Sequence, residues 1–512
     1  MIERGDSVIA APARPPQRRR VEVKPRLNSP VFLAILGIFI PLFHLVGLLF
    51  AAHAAFFART SQGAIAWVLS LVFFPYVAVP LYLVFGRRKF NGYVEARRTG
   101  NRRIDHLSAN LVDSLRLCSA NLEGDANRFA VFNRLGLVPF TAGNTARLLV
   151  DGDETFAAIF NAIDAARFYL LVQFFIIRDD ALGRLLQEKL IARARAGVRV
   201  CVLYDEVGSF ALPRGYVAKM REAGVRIFPF NTRRGWRNRF QINFRNHRKI
   251  VLVDGLIAFI GGHNVGDEYL GKSARFGHWR DTHVEIRGPA VQSIRWPFIE
   301  DWHWATGEIL ELPAILEPPD PAQSPPGTSG PADAIILPTG PADDIPRCTL
   351  MFLAAISAAK KRLWIASPYF VPDEALYNAL QLAALRGVDV RIMLPNKPDH
   401  ILVYLSAFSY LDSGEQVGVK FYRYCSGFLH QKVMLVDDDL AAVGTANLDN
   451  RSLLLNFEIT ALFACRDFAA RVAAMLEADF AHCERATPGD LGRRSILFRV
   501  SVRMARLLSP VQ

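Results

Sequence analysis

Cysteine is sparse in this chain and nowhere paired. Its six residues, Cys118, Cys201, Cys348, Cys425, Cys465 and Cys483, are scattered over 512 positions with no CxxC and no His/Cys ligand spacing. This pattern argues against a disulfide frame or a zinc site and reads as isolated thiols in a reducing compartment. No run of carboxylates marks a divalent-cation site, so neither a metal nor a cofactor is expected. Acidic residues are also in deficit: 48 Asp and Glu stand against 61 Lys and Arg, a formal charge of +13. Such an excess points to an anionic partner, either nucleic acid or the acidic face of a membrane.

Hydropathy separates those two partners. The mean hydropathy of +0.17 is high for a chain with 21% charged residues, so the apolar residues must be clustered. Val31 to Ala52, "VFLAILGIFIPLFHLVGLLFAA", and Ala64 to Phe85, "AIAWVLSLVFFPYVAVPLYLVF", contain no Asp, Glu, Lys or Arg. As a helix each would be about 33 Å long, matching a hydrocarbon core of roughly 30 Å. Pro41, Pro75 and Pro80 are of a kind tolerated in membrane spans. Arg14, Arg18, Arg19, Arg20, Lys24 and Arg26 precede the first run, and Arg87, Arg88, Lys89, Arg97 and Arg98 follow the second. The loop between carries only Arg59, so the positive-inside bias puts both ends in the cytoplasm. The expectation is a retained two-helix transmembrane hairpin over 28–90, after a disordered basic N-terminus over 1–27.

Beyond a connecting segment over 91–145 the sequence repeats itself. "ARFYLLVQFFII" at Ala166 and "KKRLWIASPYFV" at Lys360 are β-rich apolar runs, each followed by a helical stretch. Gly197-Val198 and Gly387-Val388 then start further strands, and "AGVRIFPF" at Ala223 matches "VGVKFYRY" at Val417. Strand–helix alternation of this kind predicts an α/β fold with helices on the sheet faces. The expected lobes run over 146–312 and 335–485. Between them the proline density of Pro313 to Ala334 argues against a helix or central strand and predicts an extended linker. A basic amphipathic tail closes the chain over 486–512.

The repeat carries a motif. "HRKIVLVDG" begins at His247 and "HQKVMLVDD" at His430, and each continues to an Asn, at Asn264 in "GGHN" and Asn447 in "GTAN". One His-x-Lys is a weak signal, but H-x-K-x4-D-x6-G-[GT]-x-N found twice without a gap is a strong one. Histidine titrates near neutrality, so one imidazole can attack while another donates a proton. On a strand, Lys249 would share a face with His247, and Lys432 with His430. Lysine suits a phosphate-like anion as a point charge, and asparagine amides supply further donors. The candidate set is therefore His247, Lys249, Asp254, His430, Lys432 and Asp437, with Asp254 and Asp437 read as fixing the local turn rather than taking part in chemistry.

These motifs resemble those of the phospholipase D superfamily, whose members pair two such motifs around one active site. With the N-terminal hairpin, "LYLVFGRR", "NFRNHRK", "GHWRDTHVEIRGP", "LPTGP" and "NLDNRSLLLNFE", the chain is similar to bacterial cardiolipin synthases of that superfamily. The resemblance implies two phospholipase D-like lobes sharing one active site. It also implies phosphatidyl transfer between two phosphatidylglycerol molecules, giving cardiolipin and glycerol, at the bacterial inner membrane with a cytoplasmic catalytic domain. By resemblance His247 is the nucleophile forming a phosphohistidine, and His430 protonates the leaving alcohol and then deprotonates the incoming one. Lys249, Lys432, Asn264 and Asn447 would neutralise phosphoryl oxygens. A carboxylate downstream of each motif would orient a histidine: Glu458, and Asp281 with Glu285 as its rival.

Two other acceptors or substrates fit the same motifs: water, which makes the protein a membrane phospholipase D, and nucleic acid. The two apolar runs argue against the second. "RRGWRNRF" at Arg233 and "GRRSILFRVSVRMARLL" at Gly492 interleave arginine with apolar residues and are candidates for contact with anionic lipid.

Overall fold

The computed structural model describes residues 30–58, 60–86, 89–99, 101–122, 126–230, 243–313 and 324–509. The basic N-terminus, the flanking charges Arg59, Arg87 and Arg88, and the "RRGWRNRF" stretch therefore lie outside the described residues. The chain divides into two compact units, residues 1–82 and 83–512.

In the first unit a long apolar helix, Pro30–Phe57, is followed by Ser61–Phe73, whose N-terminus is capped by the Thr60 hydroxyl accepting the Gly63 N–H at 3.0 Å. Gly47 lets these two helices approach: a β-carbon there would lie 2.5 Å from the Leu71 carbonyl oxygen. Tyr82 bonds His53 at 2.7 Å and stands edge-on to Trp67. The second apolar run departs from expectation. It is two helices, Ser61–Phe73 and Pro75–Phe85, broken at Phe74. Pro75 has no N–H to give and disfavours helical geometry at the residue before it, where Phe74 takes φ −131° and ψ 50°. Among the described residues one helix segment, Gly37–Phe57, is long and apolar enough to cross a bilayer.

The second unit is built on a sheet of sixteen strands. Its first half contributes β1 (Thr141–Val150), β2 (Tyr169–Phe174), β3 (Arg199–Asp205), β4 (Arg226–Phe230), β5 (Arg245–Asn246), β6 (Ile250–Val253), β7 (Ile257–Gly261) and β9 (Thr282–Arg287); β8 (Trp279–Arg280) pairs outside it. The second half contributes β10 (Thr328–Thr339), β11 (Arg362–Ala366), β13 (Asp389–Pro395), β14 (Lys420–Tyr424), β16 (Val433–Val436), β17 (Leu440–Gly444), β19 (Asn456–Ala464) and β20 (Cys483–Arg485). The short strands β12 (Phe370–Val371), β15 (Phe428–Leu429) and β18 (Leu448–Asp449) pair outside the main sheet. The order is β4-β3-β2-β6-β7-β9-β1-β10-β19-β17-β16-β11-β13-β14-β20, with β5 paired to β19. Read outward from the β1–β10 seam, the two sides correspond strand for strand through β4 and β14. The repeat in sequence is thus a repeat in space.

Alternate residues of each strand serve opposite faces. Leu170 and Val172 of β2 pack with Phe156, Ile159, Leu186 and Leu190 on one side, while Tyr169 and Leu171 join Ile294, Phe298 and Trp302 on the other. In the second half Leu363 and Ile365 meet Phe352, Leu376 and Leu380, and Trp364 and Ala366 meet Phe468, Val472 and Leu476. Helices therefore cover both faces. One apolar cluster contains Ile260 and Val284 of the first half with Ile336 and Phe463 of the second, so the halves share a core.

Residues 314–323 of the expected Pro313–Ala334 linker lie outside the described residues, and its last part is not an extended linker. Thr328–Ala334 belongs to β10, which is central in the sheet. Proline lacks the N–H a central strand needs, and β10 accommodates this locally. Pro331 falls in the register shift between the Asn144↔Ala332 and Ala146↔Ser329 pairs, and Pro338 lies beyond the stretch paired with β1. The Asn144 side chain bridges the irregularity by donating to the carbonyls of Thr141 and Ala332.

The motif aspartates sit in the turns after β6 and β16, with φ of 52° at Asp254 and 53° at Asp437. Asp254 accepts the backbone N–H groups of Arg167, Phe168 and Tyr169, each at 2.7 Å. Asp437 accepts those of Lys360, Lys361 and Arg362 and pairs with Arg128. Grouping these two with the catalytic candidates is therefore corrected: each ties a turn to the start of the neighbouring strand. Replacing either by Ala would leave three backbone donors without their acceptor. Asp254→Ala should lower unfolding free energy by about 2–4 kcal/mol in denaturant titration, with activity per folded molecule retained.

Candidate active site

The two histidines reach one cavity by the same route in each half. β5 runs parallel to Asn456–Phe457 at the start of β19, and the His247 N–H donates to the Phe457 carbonyl at 2.9 Å. β15 runs parallel to β8, and the His430 N–H donates to the Arg280 carbonyl at 2.8 Å. Each motif thus crosses over to the other half immediately before its own strand begins. The His-x-Lys triplets consequently precede β6 and β16 instead of lying on them, which corrects the expected strand geometry. Each lysine folds back beneath its histidine: Lys249 Nζ donates to the His247 carbonyl at 2.7 Å, and Lys432 Nζ to that of His430.

The same crossing decides which carboxylate serves which imidazole. His247 Nδ1 lies 2.8 Å from Glu458, which belongs to the second half, and His430 Nδ1 lies 2.6 Å from Asp281, which belongs to the first. The carboxylates accept, so both Nδ1 atoms carry the proton and both Nε2 atoms are left with a lone pair. Glu285, the rival to Asp281, is instead paired with Arg147 and Arg287. Glu458 also accepts the Thr445 hydroxyl at 2.6 Å. Gly262, the counterpart of Thr445 in the first motif, has no room for a side chain. A β-carbon there would come within 1.9 Å of Asp281 Oδ1. The longer carboxylate is steadied by a hydroxyl and the shorter one by close backbone contact.

His247 and His430 line a single cavity of about 1100 Å³ together with Asn264, Asn447 and Tyr269. Asn264 is already engaged, accepting the Ile176 N–H at 3.1 Å and donating to the Tyr269 hydroxyl at 2.7 Å. Asn447 is less committed, with one donor contact to Asp449 at 3.4 Å and a buried carbonyl oxygen that has no hydrogen-bond partner among the described residues. Lys249 and Lys432 are buried behind the imidazoles. Among the described residues no group of three His, Cys, Asp or Glu is arranged to hold a metal ion.

Burial controls the titration of this site. It pushes His247 down to about 4 against the pull of Glu458, and it holds His430 well below the usual imidazole range, helped by Lys432 and Lys249. Lys432 is lowered to about 8 by burial, opposed by Asp281 and Glu458, and Lys249 is well below its ordinary value for the same reason. Burial alone would raise Glu458, but His247 and Lys249 more than offset it and leave the carboxyl below its usual range. At Asp281 burial prevails and the carboxyl is raised.

Several residues here were not apparent from sequence. Arg248, between His247 and Lys249, donates to Asp301 at 2.8 Å, and Asp301 also accepts from Tyr93, Gln173 and Asn246. Gln431, at the matching position of the second motif, donates to Asp479, which also takes a two-pronged contact from Arg280 at 2.7 and 2.8 Å. The only sequence signal was their position inside the motifs. His263 and His283, 3.1 Å apart behind Asp281, likewise fall inside the stretches "GGHN" and "GHWRDTHVEIRGP" without having been singled out.

Comparison with known proteins supplies the family. The family model described as cardiolipin synthase, PLD-like domain, matches residues 159–302 and 352–480, more than half of the chain. A phospholipase D-nuclease N-terminal model matches residues 45–87. Cardiolipin synthase A of Pseudomonas putida strain W619 is 49% identical over 94% of this chain and 99% of its own length. The chain belongs to the cardiolipin synthase family. Cardiolipin synthase A of Pseudomonas aeruginosa strain LESB58 is likewise 49% identical, over 95% of this chain and 98% of its own. The crystal structure of phosphatidylserine synthase from Haemophilus influenzae Rd KW20 covers 75% of this chain and 100% of its own at a TM-score of 0.57 and 16% identity, which speaks to fold alone. As a cardiolipin synthase-family enzyme the chain has the two-lobed phospholipase D-like α/β fold.

Two outcomes follow from the geometry. Gly262→Ala should displace Asp281 from His430, reducing turnover by about 10²-fold or more while costing about 1–3 kcal/mol of stability. The buried imidazoles make the fold acid-sensitive: with His247 at about 4 in the folded state and 6.5 as its ordinary value, the unfolded chain binds more protons between those limits. This contribution to stability is complete above pH 6.5 and is lost as pH falls toward 4; the lowered Glu458 acts in the same sense and the raised Asp281 in the opposite one. Thermal midpoints in detergent should drop over that interval, and drop less in His247→Gln.

Proposed function

We propose that the protein transfers a phosphatidyl group between two phosphatidylglycerol molecules, giving cardiolipin and glycerol, through a phosphohistidine intermediate. The observation that carries this reading is two imidazoles facing one cavity, each with its Nδ1 proton held by a carboxylate of the opposite lobe. In the first step His247 Nε2 attacks phosphorus, the P–O bond to glycerol breaks, and His430 gives its proton to the departing oxygen. In the second, His430 takes the proton of the incoming lipid hydroxyl, that oxygen attacks phosphorus, and the P–N bond breaks. The roles are assigned to these two residues by family resemblance. Asn264 and Asn447, at the cavity wall, and the ammonium groups of Lys249 and Lys432, behind it, would offset the negative charge that gathers on the phosphoryl oxygens.

The lowered proton affinity of both imidazoles fits such a scheme. A neutral His247 is ready to attack, and a phosphodiester anion would favour the protonated form of His430, which burial and then Lys432 and Lys249 disfavour. The general acid would thus be charged by the arrival of its substrate. A bacterial inner-membrane location also belongs to this reading, with the apolar runs forming a hairpin and the second unit cytoplasmic. The length and apolarity of Gly37–Phe57 support it.

Purified protein in proteoliposomes with headgroup-labelled phosphatidylglycerol should release glycerol in step with cardiolipin. Phosphatidic acid as the sole lipid product would instead identify water as acceptor and end the synthase reading. Acid-quenched reactions with phosphorus-labelled lipid should place acid-labile label on His247, and His247→Ala should lower turnover by about 10²–10⁴-fold or more. Label on His430 would exchange the two roles; no label on either would remove the covalent step. The pH dependence of kcat/KM should rise through about 4, where His247 loses its proton, and fall where His430, held well below the usual imidazole range, loses the proton the first step needs.

A further inference from the structure

The C-terminal helix Ile496–Leu507 divides lengthwise into three sectors when its residues are placed at the helical repeat. One sector faces the body of the second unit: Val502 and Ala505 are buried, and Phe498 stands edge-on to Phe408 of the helix Ile401–Gln416 at 5.1 Å. The next sector is apolar yet open, with Ile496, Leu497, Val500, Met504 and Leu507 exposed at 76, 77, 51, 59 and 73%. The third consists of Arg499, Arg503 and Arg506, all exposed. A helix anchored on one side ordinarily turns polar residues outward on the rest of its surface. This one presents a row of large apolar side chains bordered by guanidinium groups.

The helix also lies beside the cavity. Its final turn runs to Ser509, whose carbonyl accepts the Asn450 side-chain N–H at 3.0 Å, and the next residue, Arg451, lines the cavity wall. The helix it packs against begins with Ile401 and Leu402, which line the same cavity and are 65 and 49% exposed.

We propose that Ile496–Leu507 is a docking element that lays the cavity mouth against an anionic lipid bilayer. The apolar sector enters the boundary between headgroups and acyl chains, and the arginine sector stays at headgroup level. Charge selects this occupant: three guanidiniums along one edge match a continuous anionic surface, and each basic side chain near such a leaflet contributes about 1 kcal/mol. The consequence for the site is that a lipid's acyl chains remain in the bilayer while its headgroup reaches the imidazoles. A second copy of this chain is the competing occupant of the same face.

The test uses full-length protein in nanodiscs with Val500→Trp as reporter, read as the emission added over the parent protein. Val500 lies in the open apolar sector, and unchanged thermal unfolding of the variant confirms its fold. In discs of phosphatidylcholine containing about 30% phosphatidylglycerol, the added emission should be quenched roughly twofold or more by lipids brominated in their acyl chains. That quenching should fall away in discs of phosphatidylcholine alone, and in Arg499→Glu/Arg503→Glu within the anionic discs. Emission that ignores brominated lipid and is quenched by aqueous iodide in both discs would overturn the proposal. So would a spectral shift that depends on protein concentration instead of lipid, which would assign the face to a second copy. Because the reporter reads lipid contact without turnover, this outcome is independent of whether cardiolipin is the product.

Discussion

The site depends on an exchange of partners: each imidazole is gripped by a carboxylate that the other half of the chain supplies. Glu458 and Asp281 are completely buried, and a buried carboxylate deprived of its partner destabilises by several kcal/mol. Each half therefore completes the hydrogen bonding of a carboxylate buried in the other. The backbone enforces the same exchange, since the N–H of each histidine is bound by the residue preceding the opposing carboxylate. Catalytic geometry and lobe association are one set of contacts, and the shared apolar core behind them removes any freedom to separate.

Around that exchange the two halves differ in detail while agreeing in plan. Asp301 collects Arg248, Asn246, Gln173 and Tyr93, whereas Asp479 collects Gln431 and the guanidinium of Arg280. Thr445 steadies a glutamate where Gly262 makes room for an aspartate. These differences break the symmetry of a duplicated motif. They give two chemically similar histidines unequal surroundings, as the proposed division into an attacking group and a proton donor requires. Burial holds both rings below the usual imidazole range.

Much of this was legible in the residues. The doubled His-x-Lys pattern with its aspartate and asparagine marked both halves, and the strand–helix alternation around it reappears as matching strands on either side of the β1–β10 seam. Pattern reading went astray where a local preference met a tertiary exception. Pro331 argues against a central strand, but an irregular register lets β10 carry it. Pro75 is admissible in a membrane helix, but it splits the second apolar run at Phe74. Strand alternation would have shown the motif lysines on the face of their histidines, but the chain has not yet entered the strand at that point.

Sequence by itself determined the strand–helix alternation, the repeat, the apolar N-terminal segment and the residue types available for acid–base chemistry. These follow from short-range rules, since side-chain direction and backbone preference are properties of near neighbours. Only the tertiary structure decided that Glu458 serves His247 and Asp281 serves His430, because nothing local specifies which half a carboxylate will face. It also decided that one face of Ile496–Leu507 is left open beside the cavity. Each of those outcomes depends on which distant segments come together when the sheet closes across its central seam.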